Sequence, residues 1–257
     1  MHTYVTFRFH RSGRNRPWEH CRAANATGCC WPGCSHAQPT FWSLTNRQTI
    51  STSKLSGDPV RDRDKINACR DLNDTERLRV RVDANNLWTD PETAARHLTS
   101  LDFSFVGIEE PLQANALDGM RIVSEQTGCR IILDESVLRT EQLAAIVADP
   151  KRWIINVRVS KMGGLLRSLA FVKDARASGI STIVGAQVGE TSVLTRAGLI
   201  VARAAGDNLI AQEGAFGTHL LEADVATPPL MFGPSGVLNA DSHSLSTRAG
   251  WGVALTT

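Results

Sequence analysis

Aromatic residues are scarce. Phe, Trp and Tyr make up 6% of the chain, with a single tyrosine, which leaves little for a base-stacking nucleic-acid platform. No apolar run approaches the ~18 residues of a membrane-spanning helix, so no membrane contact is expected. The first 20 residues lack the apolar stretch of a secretory signal. Neither a G-x-G-x-x-G fingerprint nor a P-loop occurs, so the common phosphate cradles are missing. Lysine is absent from residues 1–53, which hold six Arg and one acid, Glu19. The remainder carries 22 basic and 25 acidic residues. That body is mildly acidic and gives no footprint for nucleic acid.

What is present is a core-forming composition. Apolar residues are 42% and charged residues 21% of 257, a length close to the roughly 250 residues of one α/β barrel. Residues 1–40 show neither helical nor strand period and read as an irregular, poorly ordered leader. Cys21, Cys29, Cys30 and Cys34, with His20 and His36, offer an alternative reading as a zinc or interaction module. Their spacing lacks the paired C-x2-4-C knuckles of structural zinc sites. Cys69 and Cys129 stand alone in the body, which suits a reduced, cytoplasmic setting.

From Phe41 to the C-terminus, strand and helix patterns alternate. Strands are expected at 41–45, 50–55, 78–83, 105–109, 130–134, 153–158, 181–185 and 208–212. Helices are expected at 61–72, 91–101, 115–127, 140–148, 165–178 and 191–205, with Gly128, Gly179 and Gly206 as stops. Such alternation with short connections predicts parallel strands joined by helical crossovers. Eight strands point to a (β/α)8-type barrel filling residues 41–257. A strand-like return is expected at 250–255.

Strand ends in such a barrel line its active site, and several here are charged. Asp83 ends LRVRVD, Glu109 ends FVGIE and Asp134 ends IILD, with 26 residues from the first to the second and 25 from the second to the third. One βα unit per acid places the three on adjacent strands at one rim. Singly, an Asp at a strand end is usually a helix cap or a turn residue. Three in register would repel and raise each other's pKa unless a cation neutralised them. Hard oxygen ligands suit Mg2+ or Mn2+. Lys54 and Arg158 end the second and sixth strands. A Lys beside a bound cation can act as a base; the bland alternative is a solvated surface Lys.

The run Arg81-Val82-Asp83-Ala84-Asn85, Ile108-Glu109-Glu110-Pro111, Asp134-Glu135-Ser136 and Ser160-Lys161-Met162-Gly163-Gly164 resembles the enolase superfamily, in its muconate-lactonizing and mandelate-racemase branch. The resemblance implies a (β/α)7β barrel and an α+β capping domain before it, which residues 1–40 are too short to form. It implies Mg2+ on Asp83, Glu109 and Asp134, with Asn85 hydrogen bonding nearby. It implies a base at Lys54, the second Lys of a Lys-x-Lys pair, and proton abstraction α to the carboxylate of a small substrate, with enediolate stabilisation. Gln187 and Glu190, beyond the seventh strand, join Asn85 as substrate-binding candidates.

The sequence departs from the family pattern. The Lys-x-Lys pair reads Thr52-Ser53-Lys54, Arg158 stands where the lactonizing branch has an opposing Lys, and no His follows the seventh strand. Lys161 reads as mainly structural. Four residues between the first two strands are too few for a helix. Two activities fit, a lyase (dehydratase) and a cycloisomerase. The competing expectation is a truncated or inactive barrel that keeps its metal ligands. A homo-oligomer is compatible with either.

Overall fold

The computed structural model describes residues 40–44, 48–76, 79–213, 220–227, 229–231 and 254–255. The cysteine-rich segment 20–36 and the stretch after Gly214 lie outside the described residues, apart from short pieces of the latter. The chain runs β1 (Thr40–Leu44), β2 (Gln48–Lys54), α1 (Pro59–Glu76), β3 (Arg79–Asp83), α2 (Pro91–Ser100), β4 (Ile108–Glu109), α3 (Leu117–Thr127) and β5 (Ile131–Leu133). A 3-10 helix (Thr140–Ala145) precedes β6 (Trp153–Arg158), α4 (Leu165–Ala177), β7 (Ser181–Gly185), α5 (Ser192–Ala205) and β8 (Leu209–Gln212). A separate ladder pairs β9 (Ala226–Thr227) with β10 (Ala254–Leu255).

Strands β1 to β8 form one sheet in sequence order. From β2 to β8 every neighbouring pair is parallel, so seven strands build the TIM-like wall. The first pair corrects the sequence expectation of parallel strands throughout: β1 runs antiparallel to β2. A three-residue connection cannot carry a crossover, but it can close a hairpin. Two further corrections are local. β4 is two residues rather than five, although Val106 N–H still donates to Val80 O (2.7 Å) and Val82 N–H to Gly107 O (3.1 Å). The segment expected as a helix over 140–148 is a 3-10 helix over Thr140–Ala145 followed by turns.

Strand alternation sorts side chains between two environments. One set, including Val80, Val82, Ile108, Ile131, Leu133, Trp153, Ile155 and Val157, packs outward against the helices. The inward set begins as an apolar plug of Ile132, Ile154, Ile183 and Ala211. One pleat further on, the interior turns polar, with Thr52, Arg81 and Asn156 all buried. The helices present matching faces: Ala94, Ala95 and Leu98 on α2, Met120 and Val123 on α3, and Phe171, Val172 and Ala175 on α4.

Local signals set the element ends. Asp90 caps α2, its carboxylate accepting from Thr93 N–H at 2.8 Å. α3 stops where Gly128 takes φ +67°, a conformation that carries no penalty without a Cβ. Cys69 is a buried thiol, pushed up to about 11 by burial, and Cys129 is half-buried; both are free. Among the described residues no helix is long and apolar enough to cross a membrane.

Candidate active site

The strand register brings the charged ends together. Lys54 pairs with Asp83, and Asp83 with Glu109. Glu109 pairs with Ile132, so Asp134 leaves the same face of β5 one pleat later. Leu133 pairs with Ile155, which sets Asn156 and Arg158 beside it on β6. Arg158 in turn pairs with Gly185. A Cβ at Gly185 would overlap Asn156 Oδ1 and come within 2.9 Å of Arg158 Cγ. Glycine there is what lets both polar side chains lie inside the wall.

The acids are crowded, with Asp83 half-buried and the other two buried. Glu109 and Asp134 are 3% and 2% exposed. Glu109 accepts from Asn156 Nδ2 at 2.8 Å and faces Arg81 Nη1 at 3.4 Å. Asp134 is paired with Arg158 Nη2 and with Lys161 Nζ at 2.8 Å. Positive charge is nonetheless short. Burial, and after it the charge of Glu109, pushes the Asp134 carboxyl up to about 9. Burial and the same neighbour push Asp83 up to about 7, against the pull of Arg81 and Lys54. Asp134 Oδ1 is buried with no hydrogen-bond partner.

Among the described residues, no three His, Cys, Asp or Glu side chains stand gathered as a set of metal ligands; Asp134 is paired with Arg158 and Lys161. The donor chemistry still fits a hard divalent cation. Asp83, Glu109 and Asp134 are oxygen donors on consecutive strands, Asp83 and Asp134 held above their ordinary pKa by burial and then by the charge of Glu109, and one oxygen lacks a partner.

The remaining candidates take different places. Asn85 is exposed at φ +49°, and it is its backbone N–H that reaches the Asp83 carboxylate. Gln187 Oε1 accepts from Arg158 Nη1 at 3.4 Å. Glu190 is engaged locally, accepting from Gln187 N–H at 2.8 Å and from Ser160 Oγ at 3.4 Å.

Four residues join the site that the sequence reading left out or set aside. Lys161, read there as structural, lies on Asp134 and on Glu135 at 3.0 Å. Glu213, directly after β8, pairs with Arg81, whose Nε donates to Thr52 Oγ1 at 2.6 Å. Asn156 lies between Glu109 and Glu213, donating to them at 2.8 and 3.4 Å. An acid closing the apolar strand LIAQ is the same signal that marked Asp134, so Glu213 was findable. Arg81 and Asn156 were not, because nothing in a strand pattern says which inward residue meets a partner 132 positions away.

Comparison with known proteins converges on one family. The profile described as Enolase C-terminal domain-like matches residues 43–257. The chain is similar to a hydrophobic dipeptide epimerase from Enterococcus faecalis, 27% identical over 117 residues, covering 45% of this chain and 33% of that protein. It is similar to a chloromuconate cycloisomerase from a Pseudomonas species, 31% identical over 117 residues, covering 45% and 31%. Its fold is similar to the crystal structure of the Enterococcus faecalis dipeptide epimerase complexed with Mg and the dipeptide L-Leu-L-Tyr. That match has a TM-score of 0.60 and 25% identity, and it covers 70% of this chain and 50% of that one. The chain thus spans about a third of the length of these curated relatives and half of the solved chain. With the match running through almost all of the barrel and its relatives being isomerases, the chain belongs to the enolase superfamily, in the muconate-lactonizing and mandelate-racemase branch, through its C-terminal domain.

Proposed function

We propose that this chain is the barrel part of a (β/α)7β enzyme that removes a proton α to the carboxylate of a small acid. Mg2+, or Mn2+ in its place, would be held by Asp83, Glu109 and Asp134. The observation that carries the reading is the register of Lys54, Asp83 and Glu109 on consecutive strands, with Asp134 next. When bound, such a cation supplies electrostatic stabilisation to charge developing on substrate oxygens. Lys54 takes the α-proton on its amine. Its strand end is anchored, since Lys65 Nζ donates to Lys54 O at 2.8 Å. Arg158 holds fixed donors toward the acid side of the pocket and orients a carboxylate. Asn85, Gln187 and Glu190 border the substrate.

Lys54 as the base and Arg158 as a fixed cation favour chemistry on a single face, with the Lys161 amine engaged by Asp134 and Glu135. Racemisation needs a proton removed from one face and returned to the other. Guanidinium stays protonated at ordinary pH, so Arg158 cannot serve as the second base. Syn β-elimination of a hydroxy acid and cycloisomerisation of an unsaturated diacid need only one. The relatives include both cycloisomerases and epimerases, and the arginine supports the former. The test is substrate α-proton exchange in D2O with Mg2+, over sugar acids, muconates and N-acyl amino acids. Lys54→Ala is expected to lower exchange by about 10²–10⁴-fold, and exchange should proceed with retention. Exchange that survives Lys54→Ala would overturn the assignment.

A further inference from the structure

Glu110 is 0% exposed, yet its carboxylate takes no part in the ion pairs of the site. Its Oε1 accepts three consecutive backbone N–H groups, those of Asp134 (2.8 Å), Glu135 (2.9 Å) and Ser136 (2.8 Å). Its Oε2 accepts from Ser136 Oγ at 2.8 Å. All four donors belong to the segment that leaves β5 and carries Asp134. The Glu110 backbone is held just as closely: its N–H donates to Ile132 O (3.0 Å) and its C=O accepts from Asn86 N–H (2.7 Å). One residue therefore ties the ends of β3, β4 and β5, the strands bearing Asp83, Glu109 and Asp134. It does so at φ +36°, a conformation that costs a non-glycine residue of order 1 kcal/mol or more. That strain turns the carboxylate away from Glu109, its neighbour in sequence, and under the β5 turn. Ser136 extends the clasp: its Oγ accepts from Asn115 N–H at 2.9 Å and its C=O from Gln142 Nε2 at 3.0 Å.

We infer that Glu110 is a positioning residue, a carboxylate clasp that fixes the turn after β5 and so aims the Asp134 carboxylate at the position shared with Glu109. The inference rests on the proposed metal site. The clasp acts through the placement of an acceptor oxygen. Glu110→Gln keeps a carbonyl oxygen where Oε1 stands and offers an amide to Ser136 Oγ. Glu110→Asp keeps the charge and withdraws the oxygens by one methylene.

Two measurements on the full chain test it. In calorimetric Mg2+ titration, Glu110→Asp should weaken binding by roughly 10–100-fold, the range for outer-shell partners of metal ligands. Glu110→Gln should stay near wild type. In amide hydrogen exchange, the Asp134, Glu135 and Ser136 amides should lose protection in Glu110→Asp and keep it in Glu110→Gln. Val123→Ala, in the buried face of α3, controls for a general loss of stability and should leave Mg2+ affinity unchanged. The inference is overturned if the aspartate variant binds Mg2+ like wild type, if the glutamine variant is the weaker of the two, or if Val123→Ala weakens Mg2+ as much. Wild type without Mg2+ affinity overturns the metal site instead, and the exchange measurement alone then decides whether the clasp exists.

Discussion

On the proposed reading, Arg158 is the residue that most separates this chain from an enzyme with two opposing bases. It sits on Asp134, 3.9 Å from Glu109 Oε1 and within 3.4 Å of Gln187, with its side chain largely buried. Its side chain can orient but not exchange a proton. Arg158→Lys puts an ionisable amine on the same strand position, opposite Lys54 across the site. The expected outcome is a new inversion product in the D2O exchange experiment, on any substrate that wild type exchanges with retention. Chiral chromatography of the recovered substrate reads it. If Arg158→Lys exchanges with retention alone, the arginine is not what blocks the second face. At this scale the sequence was informative where a strand pattern ends in a charge, as for Asp83, Glu109, Asp134, Lys54 and Arg158. It was silent where a residue acts through its partner. Glu110 is adjacent to Glu109 and looks like a second copy of it, but strand alternation and a positive φ send the two carboxylates in different directions.

The turn from β2 into α1 shows how an element secures the strand end that carries Lys54. Asp62, fully buried, accepts from the N–H groups of Ser56 (2.9 Å) and Gly57 (2.9 Å), from Ser56 Oγ (2.8 Å) and from Lys65 Nζ (3.1 Å). His97 Nε2 on α2 lies 3.1 Å away. Burial pushes the Asp62 carboxyl up, but the hydrogen bonds from Ser56 and Lys65 outweigh it and hold the carboxyl below its ordinary value. A depressed folded-state pKa contributes stability that is complete above the unfolded value of about 4 and is lost as pH falls through the folded one. Asp62→Asn should therefore lower the unfolding midpoint at pH 7, and the gap from wild type should close below about pH 4. Denaturant melts from pH 7 down to pH 3 would show it; a gap of constant size across that range sinks the argument. His97→Gln, measured alongside, controls for loss of the His97 contact to Asp62. The helix here was legible from its pattern. The direction of β1 was not. A two-period strand reads the same in either sense, and only the short connection decides it.

For the molecule as a whole, the wall has a seam. β2 to β7 each have ladder partners on both sides, whereas β8 is paired only with β7 and β1 only with β2. β1 lies beside β8 without a ladder between them among the described residues. The interior compounds this asymmetry. The apolar plug is built from β5 to β8, through Ile132, Ile154, Ile183 and Ala211, while the β2 and β3 side is filled by Thr52 and Arg81. Arg81 pairs with Glu213 across the interior, so an ion pair on the seam side does what apolar contact does elsewhere. Such a pair specifies an arrangement more than it stabilises it. Opening should therefore be local at the seam and global in the middle. In native-state amide exchange, amides of β1 and β8 should exchange by sub-global opening, and those of β5 and β6 only with complete unfolding. Each 1.4 kcal/mol between the two processes appears as about tenfold in rate. Denaturant should speed the β5 and β6 amides steeply and the seam amides little. If both groups share one denaturant dependence and one opening free energy, the wall is continuous and the seam carries no energetic meaning.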